Sequence, residues 1–187
     1  FRVYAFKKTG EGFYDPATLR NITSSCTTEL PDKETVRISI RGGSAVKGLT
    51  ACIMTQEFCI QRSNWGNLEI DGFTEAMQQY SDIPFDGFAL DEYGNKFVER
   101  IFDLNTPHPF RGRWYSDDMA AAYGHAYGTP LDKALFDGRY APEGKPEGRM
   151  KAINEYMDFM RTGPLRVEKA VYRESRKIFG RHIFSGI

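Results

Sequence analysis

The chain opens on an alternation. "RVYAFKK" sets Val3, Ala5 and Lys7 against Arg2, Tyr4 and Phe6, the period-two spacing of a strand. "ETVRISIRGG" repeats the pattern with Val36, Ile38 and Ile40 and ends in a glycine pair that marks a turn. "GLTACIMTQEFCI" is a longer apolar run and reads as a third strand. Between them, "YDPATLRNITSSCTTELPDKE" is rich in Thr, Ser, Pro and Asp, the composition of loops and turns. Residues 1–66 are therefore expected to form a β-rich region or insertion.

Beyond residue 66 the period lengthens. "DGFTEAMQQYSD" carries Phe73, Ala76, Met77 and Tyr80 on one helical stripe, with Asp71 expected as its cap and Pro84 soon after its end. "FDGFALDE" follows as a strand. "YSDDMAAAYGHAYGTP" places Met119, Ala122, Tyr123 and Ala126 on one face, with Ser116 as N-cap and Gly128 and Pro130 as the stop. After the Pro/Gly-rich loop at 137–148, a third helix carries Met150, Ile153, Met157 and Met160 and is expected to end near Gly163-Pro164. A fourth spans about 165–179 with Val167, Ala170, Val171 and Ile178, and "RHIFSGI" resumes as a strand. This alternation predicts an α/β architecture over residues 67–187, with the strands at 85–91 and 182–186 parallel in one sheet.

Charge narrows the function classes. Lys and Arg together number 25, as do Asp and Glu, so the chain has no net charge to steer it to nucleic acid or to an anionic membrane surface. No apolar segment has the length to span a bilayer, so no membrane insertion is expected. Cys26, Cys52 and Cys59 lack metal-ligand spacing, and Cys52 and Cys59 lie in apolar surroundings that suit buried thiols. His108, His125 and His182 form no metal pattern, and "RGGSAVKG" lacks the spacing of a phosphate-binding loop. No cofactor or metal is called for.

The chemistry that the sequence does offer lies in "FDGFALDEYGN". Ligands of parallel α/β folds bind where strands end at their carboxyl side, and Asp91 and Glu92 fall at such an end. The plain alternative is that polar residues simply terminate the strand. Parity sets Gly87, Ala89 and Asp91 on one face and Phe88, Leu90 and Glu92 on the other, and a bulge would bring both carboxylates to one side. In "HPFRGRWYSDD", Arg111 and Arg113 stand among Phe110, Trp114 and Tyr115, residue types that stack on sugar rings and bond their hydroxyls. Equally, Trp114 would serve as a staple at the helix start. Asp117 and Asp118 are explained by the helix dipole alone.

"FDGFALDEYGN" followed by "RWYSDDMAAAYGHAYGTPL" resembles the fourth-strand region of (β/α)8-barrel (TIM-barrel) glycoside hydrolases of the clan that includes the family-42 β-galactosidases. "RESRKIFGRHIFSGI" is similar to the helix that leads to the next barrel strand, and the β-rich start resembles accessory modules of large bacterial glycosidases. The resemblance implies a partial (β/α)8-type barrel over residues 67–187 and a carbohydrate substrate. It makes Glu92 the general acid/base, Asp91 its neighbour where the clan usually carries Asn, and Tyr93 and Asn95 shapers of the pocket; Arg113 and Trp114 join them as substrate-binding candidates on their residue types alone. Such hydrolysis needs a second carboxylate across the scissile bond, which sequence neighbours cannot supply together. A whole barrel takes about 250 residues, so the partner carboxylate is expected beyond Ile187, in the remainder of a longer parent polypeptide. A non-catalytic carbohydrate-binding protein and a structural or interaction domain stand as the alternatives.

Overall fold

The computed structural model describes residues 1–56, 64–89, 113, 115–180 and 183–186. Strands β1 (Arg2–Phe6), β2 (Lys8–Gly10), β3 (Phe13–Tyr14), β4 (Arg20–Asn21), β5 (Cys26–Glu29), β6 (Arg37–Ile40) and β7 (Thr50–Met54) come first. Helix α1 (Leu68–Gln78), strand β8 (Gly87–Ala89), helices α2 (Asp117–Tyr127) and α3 (Leu131–Arg139), strand β9 (Ala141–Pro142), helix α4 (Glu147–Phe179) and strand β10 (Phe184–Gly186) follow. They sort into two compact units, each made of two stretches of chain: Phe1–Cys59 with Asp132–Asn154, and Ile60–Leu131 with Glu155–Ile187.

In the first unit, β1 is the middle strand of an antiparallel β4-β1-β7 sheet. Its alternation therefore feeds two cores rather than one core and solvent. Tyr4 and Phe6 join Tyr14 and Phe136 on one side; Val3 and Ala5 join Ile22 on the other. All four of these β1 side chains are buried, each large one contributing about 1.5–3 kcal/mol. Phe136 comes from α3, whose buried residues are Leu131, Ala134 and Phe136. β5 and β6 form an antiparallel hairpin, and β9 pairs parallel with β3.

The second unit holds α1, α2, most of α4 and a two-stranded parallel sheet of β8 and β10, in the register Phe184↔Gly87, Ser185↔Phe88 and Gly186↔Ala89. The parallel pairing expected of the strands near 85–91 and 182–186 is present. The barrel segment is not. The described residues form four helices and four separate sheets of two or three strands, most pairs antiparallel, with no (β/α)8 pattern. The reason lies in strand partners: β9, the one described strand between β8 and β10 in sequence, pairs with β3 in the first unit. Among the described residues, the three helices between β8 and β10 thus bracket no further strand of that sheet.

Local chemistry explains α2 well. The Ser116 hydroxyl accepts from the Met119 N–H at 3.1 Å, and Gly128 closes the helix in the left-handed region at φ 68°. Helix α1 begins earlier than expected, with Asn67 at its N-cap and Asp71 inside its first turn, where a carboxylate favours the dipole. None of its residues is fully buried. Helix α4 runs unbroken through Gly163 and Pro164, where two helices were expected. Its inward stripe is also offset from the methionine pattern: Tyr156, Phe159, Met160, Gly163, Val167, Ala170 and Val171 are buried, whereas Met150 and Met157 are exposed.

Candidate functional site

Strand β8 is three residues long, and several contacts hold it in place. The Phe184 N–H donates to the Asp86 carbonyl at 2.8 Å, extending the ladder one step toward the amino end. A Cβ on Gly87 would stand 2.7 Å from the Phe184 Cβ and 2.8 Å from its carbonyl oxygen. Glycine is needed there because β10 passes so close, which accounts for one of the small residues of "DGFA" without a barrel interior. Just before the strand, the Phe85 ring meets Phe179 edge-on at 5.5 Å and Tyr80 at 6.4 Å. Ile183, just before β10, is buried.

Ala89 and Gly186 form the last pair of this ladder among the described residues. In sequence, Leu90, Asp91 and Glu92 come directly after Ala89. Asp91, Glu92, Tyr93, Asn95 and Trp114 lie outside the described residues. Of the predicted site residues, Arg113 is described: it is exposed and precedes the Ser116 cap of α2. Tyr115 is half-buried. Asp117 and Asp118 are exposed in the first turn of α2, in keeping with a capping role.

Among the described residues, several buried or half-buried groups have displaced titration. In the first unit the Tyr4 hydroxyl donates to Asp132 Oδ2 at 3.0 Å, and Arg2 Nε stands 3.4 Å from the same oxygen. Burial, and then the Asp132 carboxylate, hold the Tyr4 hydroxyl well above the ordinary tyrosine range, and burial raises Tyr14 likewise. Burial pushes the half-buried Cys52 thiol up, with Arg139 opposing it. In the second unit, burial and then Asp158, which accepts from the Tyr127 hydroxyl at 3.4 Å, raise Tyr127. These groups brace the packing of each unit. The Tyr4–Asp132 pair carries no local sequence signal, because 128 residues separate its members.

A folded-state pKa above the unfolded value means that the folded chain holds that proton more tightly. The resulting stability is whole below the unfolded tyrosine pKa of about 10 and is lost as pH rises past it. Melting temperature followed by circular dichroism should therefore fall as pH goes from about 9 to about 11. The fall should be shallower in Tyr4→Phe, and an unchanged slope would show that the Tyr4–Asp132 pair does not carry it.

Cys26 and Cys52 are free thiols, and Cys59, His108 and His182 lie outside the described residues. His125 is exposed on α2. Among the described residues, no group of three or more His, Cys, Asp and Glu side chains is placed to hold a metal ion. No helix among them is long and apolar enough to cross a membrane. No family model matches the chain, and neither a curated protein nor a solved structure matches it.

Proposed function

We propose that the chain serves glycoside hydrolysis, with Glu92 as the general acid/base and Asp91 as the neighbour that tunes or shares its role. One observation carries the reading. β8 and β10 run parallel in one sheet, and the two carboxylates follow β8 in sequence after a single intervening residue, Leu90. Carboxyl ends of parallel strands are where α/β proteins bind ligands. A carboxylic acid at such an end suits protonation of a glycosidic oxygen. The second carboxylate comes from another segment, since adjacent residues cannot flank one bond from both sides. Tyr93, Asn95, Arg113 and Trp114 supply the stacking and hydroxyl contacts that a sugar requires.

The test is a panel of aryl glycosides of both anomers, and of oligosaccharides, offered to the protein that carries these residues. Release of aglycone or reducing sugar that depends on Glu92 is the expected result. Saturable glycan binding without turnover would replace hydrolysis with carbohydrate binding. Neither binding nor turnover would leave Asp91 and Glu92 as strand punctuation.

A further inference from the structure

Helix α4 contains the one sequence that should break it. Pro164 has no N–H to give to the preceding turn, and its ring crowds that turn; Gly163 beside it has the weakest helix preference after proline. The Thr162 hydroxyl, donating to the Phe159 carbonyl at 2.7 Å, adds a contact of the kind that bends helices. Yet the helix is continuous from Glu147 to Phe179.

Residues 64–67 bridge the weak point. The Trp65 ring lies directly on Gly163: a Cβ there would meet ring carbons at 2.8–3.0 Å, so the missing side chain is the seat for the indole. One turn earlier the same indole stacks on Phe159, centroids 5.0 Å apart and planes within 14°. Just past Pro164, Arg166 reaches back to the same segment. Its Nη1 donates to the Asn64 carbonyl at 3.3 Å and to the Gly66 carbonyl at 2.8 Å, while its Nη2 donates to Asn67 Oδ1. The segment thus grips α4 on both sides of the Gly163-Pro164 pair, using ring contact before it and charge-assisted hydrogen bonds after it.

We propose that residues 64–67 are a latch, and that α4 has two states: a single rod when Trp65 and Arg166 are engaged, and two helices parted at Gly163-Pro164 when they are not. The far half of α4 leads through Gly180 to β10, so the latch governs the element that feeds the β8–β10 pair. This inference does not depend on the chemistry proposed for Glu92.

Native-state hydrogen exchange of the intact protein reads it. In Trp65→Ala and in Arg166→Met, amides at 165–168 should exchange at least about tenfold faster, with those at 170–178 little changed. Adding Pro164→Ala should restore their protection, because alanine supplies the missing N–H. Gly163→Ala should destabilise the natural protein, where its methyl meets Trp65. In the Trp65→Ala background it should instead favour folding by about fourfold, the ordinary helix preference of Ala over Gly. Arg166→Met retains the indole and serves if Trp65→Ala does not fold. Unchanged protection at 165–168 in a folded variant would overturn the latch. So would uniform loss along all of α4, or global unfolding of both variants, since residues 64–67 would then be ordinary core.

Discussion

Replacing Glu92 by Gln should lower turnover of a glycoside with a poor leaving group by about 10² to 10⁴, the usual contribution of general acid/base catalysis. Gln keeps the size of the side chain and most of its hydrogen bonding but has no proton to exchange. An activated aryl glycoside needs less protonation of its leaving oxygen, so its first chemical step should suffer less. Comparing kcat/KM for the two substrate types in wild type and variant separates loss of proton transfer from loss of structure, which would depress both alike. Asp91→Asn should be milder, since Glu92 is the proposed acid. The reverse ranking would move the acid to Asp91.

Phe6→Ala should cost about 3–5 kcal/mol of stability, the range for emptying a buried aromatic site. Phe6 has no exposed surface and meets Tyr140 at 4.8 Å, Phe136 at 5.2 Å and Tyr14 at 5.8 Å. Those rings come from β3, from α3 and from the residue just after α3, so the cavity would open where distant parts of the chain are joined. Denaturant unfolding is the measurement. A loss under about 1 kcal/mol would mean that neighbouring rings collapse into the space and that the cluster is not rigid. Ile38→Ala, at a half-buried position beside the smaller Val3 and Ala5 core, should cost less.

What was legible in the sequence is what nearby atoms decide. Ser116 and Gly128 bound α2 because capping is settled within one helical turn, and both do so in the structure. The alternation in β1 is likewise visible, as an extended strand has no choice about sending neighbours to opposite faces. The parallel relation of β8 and β10 followed from a long helical crossover between them. For the candidate site, sequence supplied the pair of acids and their place just past β8. The described residues add the parallel pairing of that strand with β10, with Arg113 exposed ahead of α2.

Tertiary structure decided the rest, through partners that no local pattern names. Both faces of β1 are buried because β4 and β7 flank it and Phe136 arrives from far along the chain. Chain segment 132–154 packs with the first unit, and β9 pairs with β3 there, so the β/α alternation that suggested a barrel does not build one. Gly163-Pro164 reads as a helix end on propensity alone, an expected cost of about 3 kcal/mol or more for the proline. Trp65 and Arg166 offset that cost with a stacked ring and hydrogen bonds spanning about a hundred residues. Caps and periodicity act over a turn of chain, whereas partner choice depends on which distant surfaces meet, and that information exists only once the chain has folded.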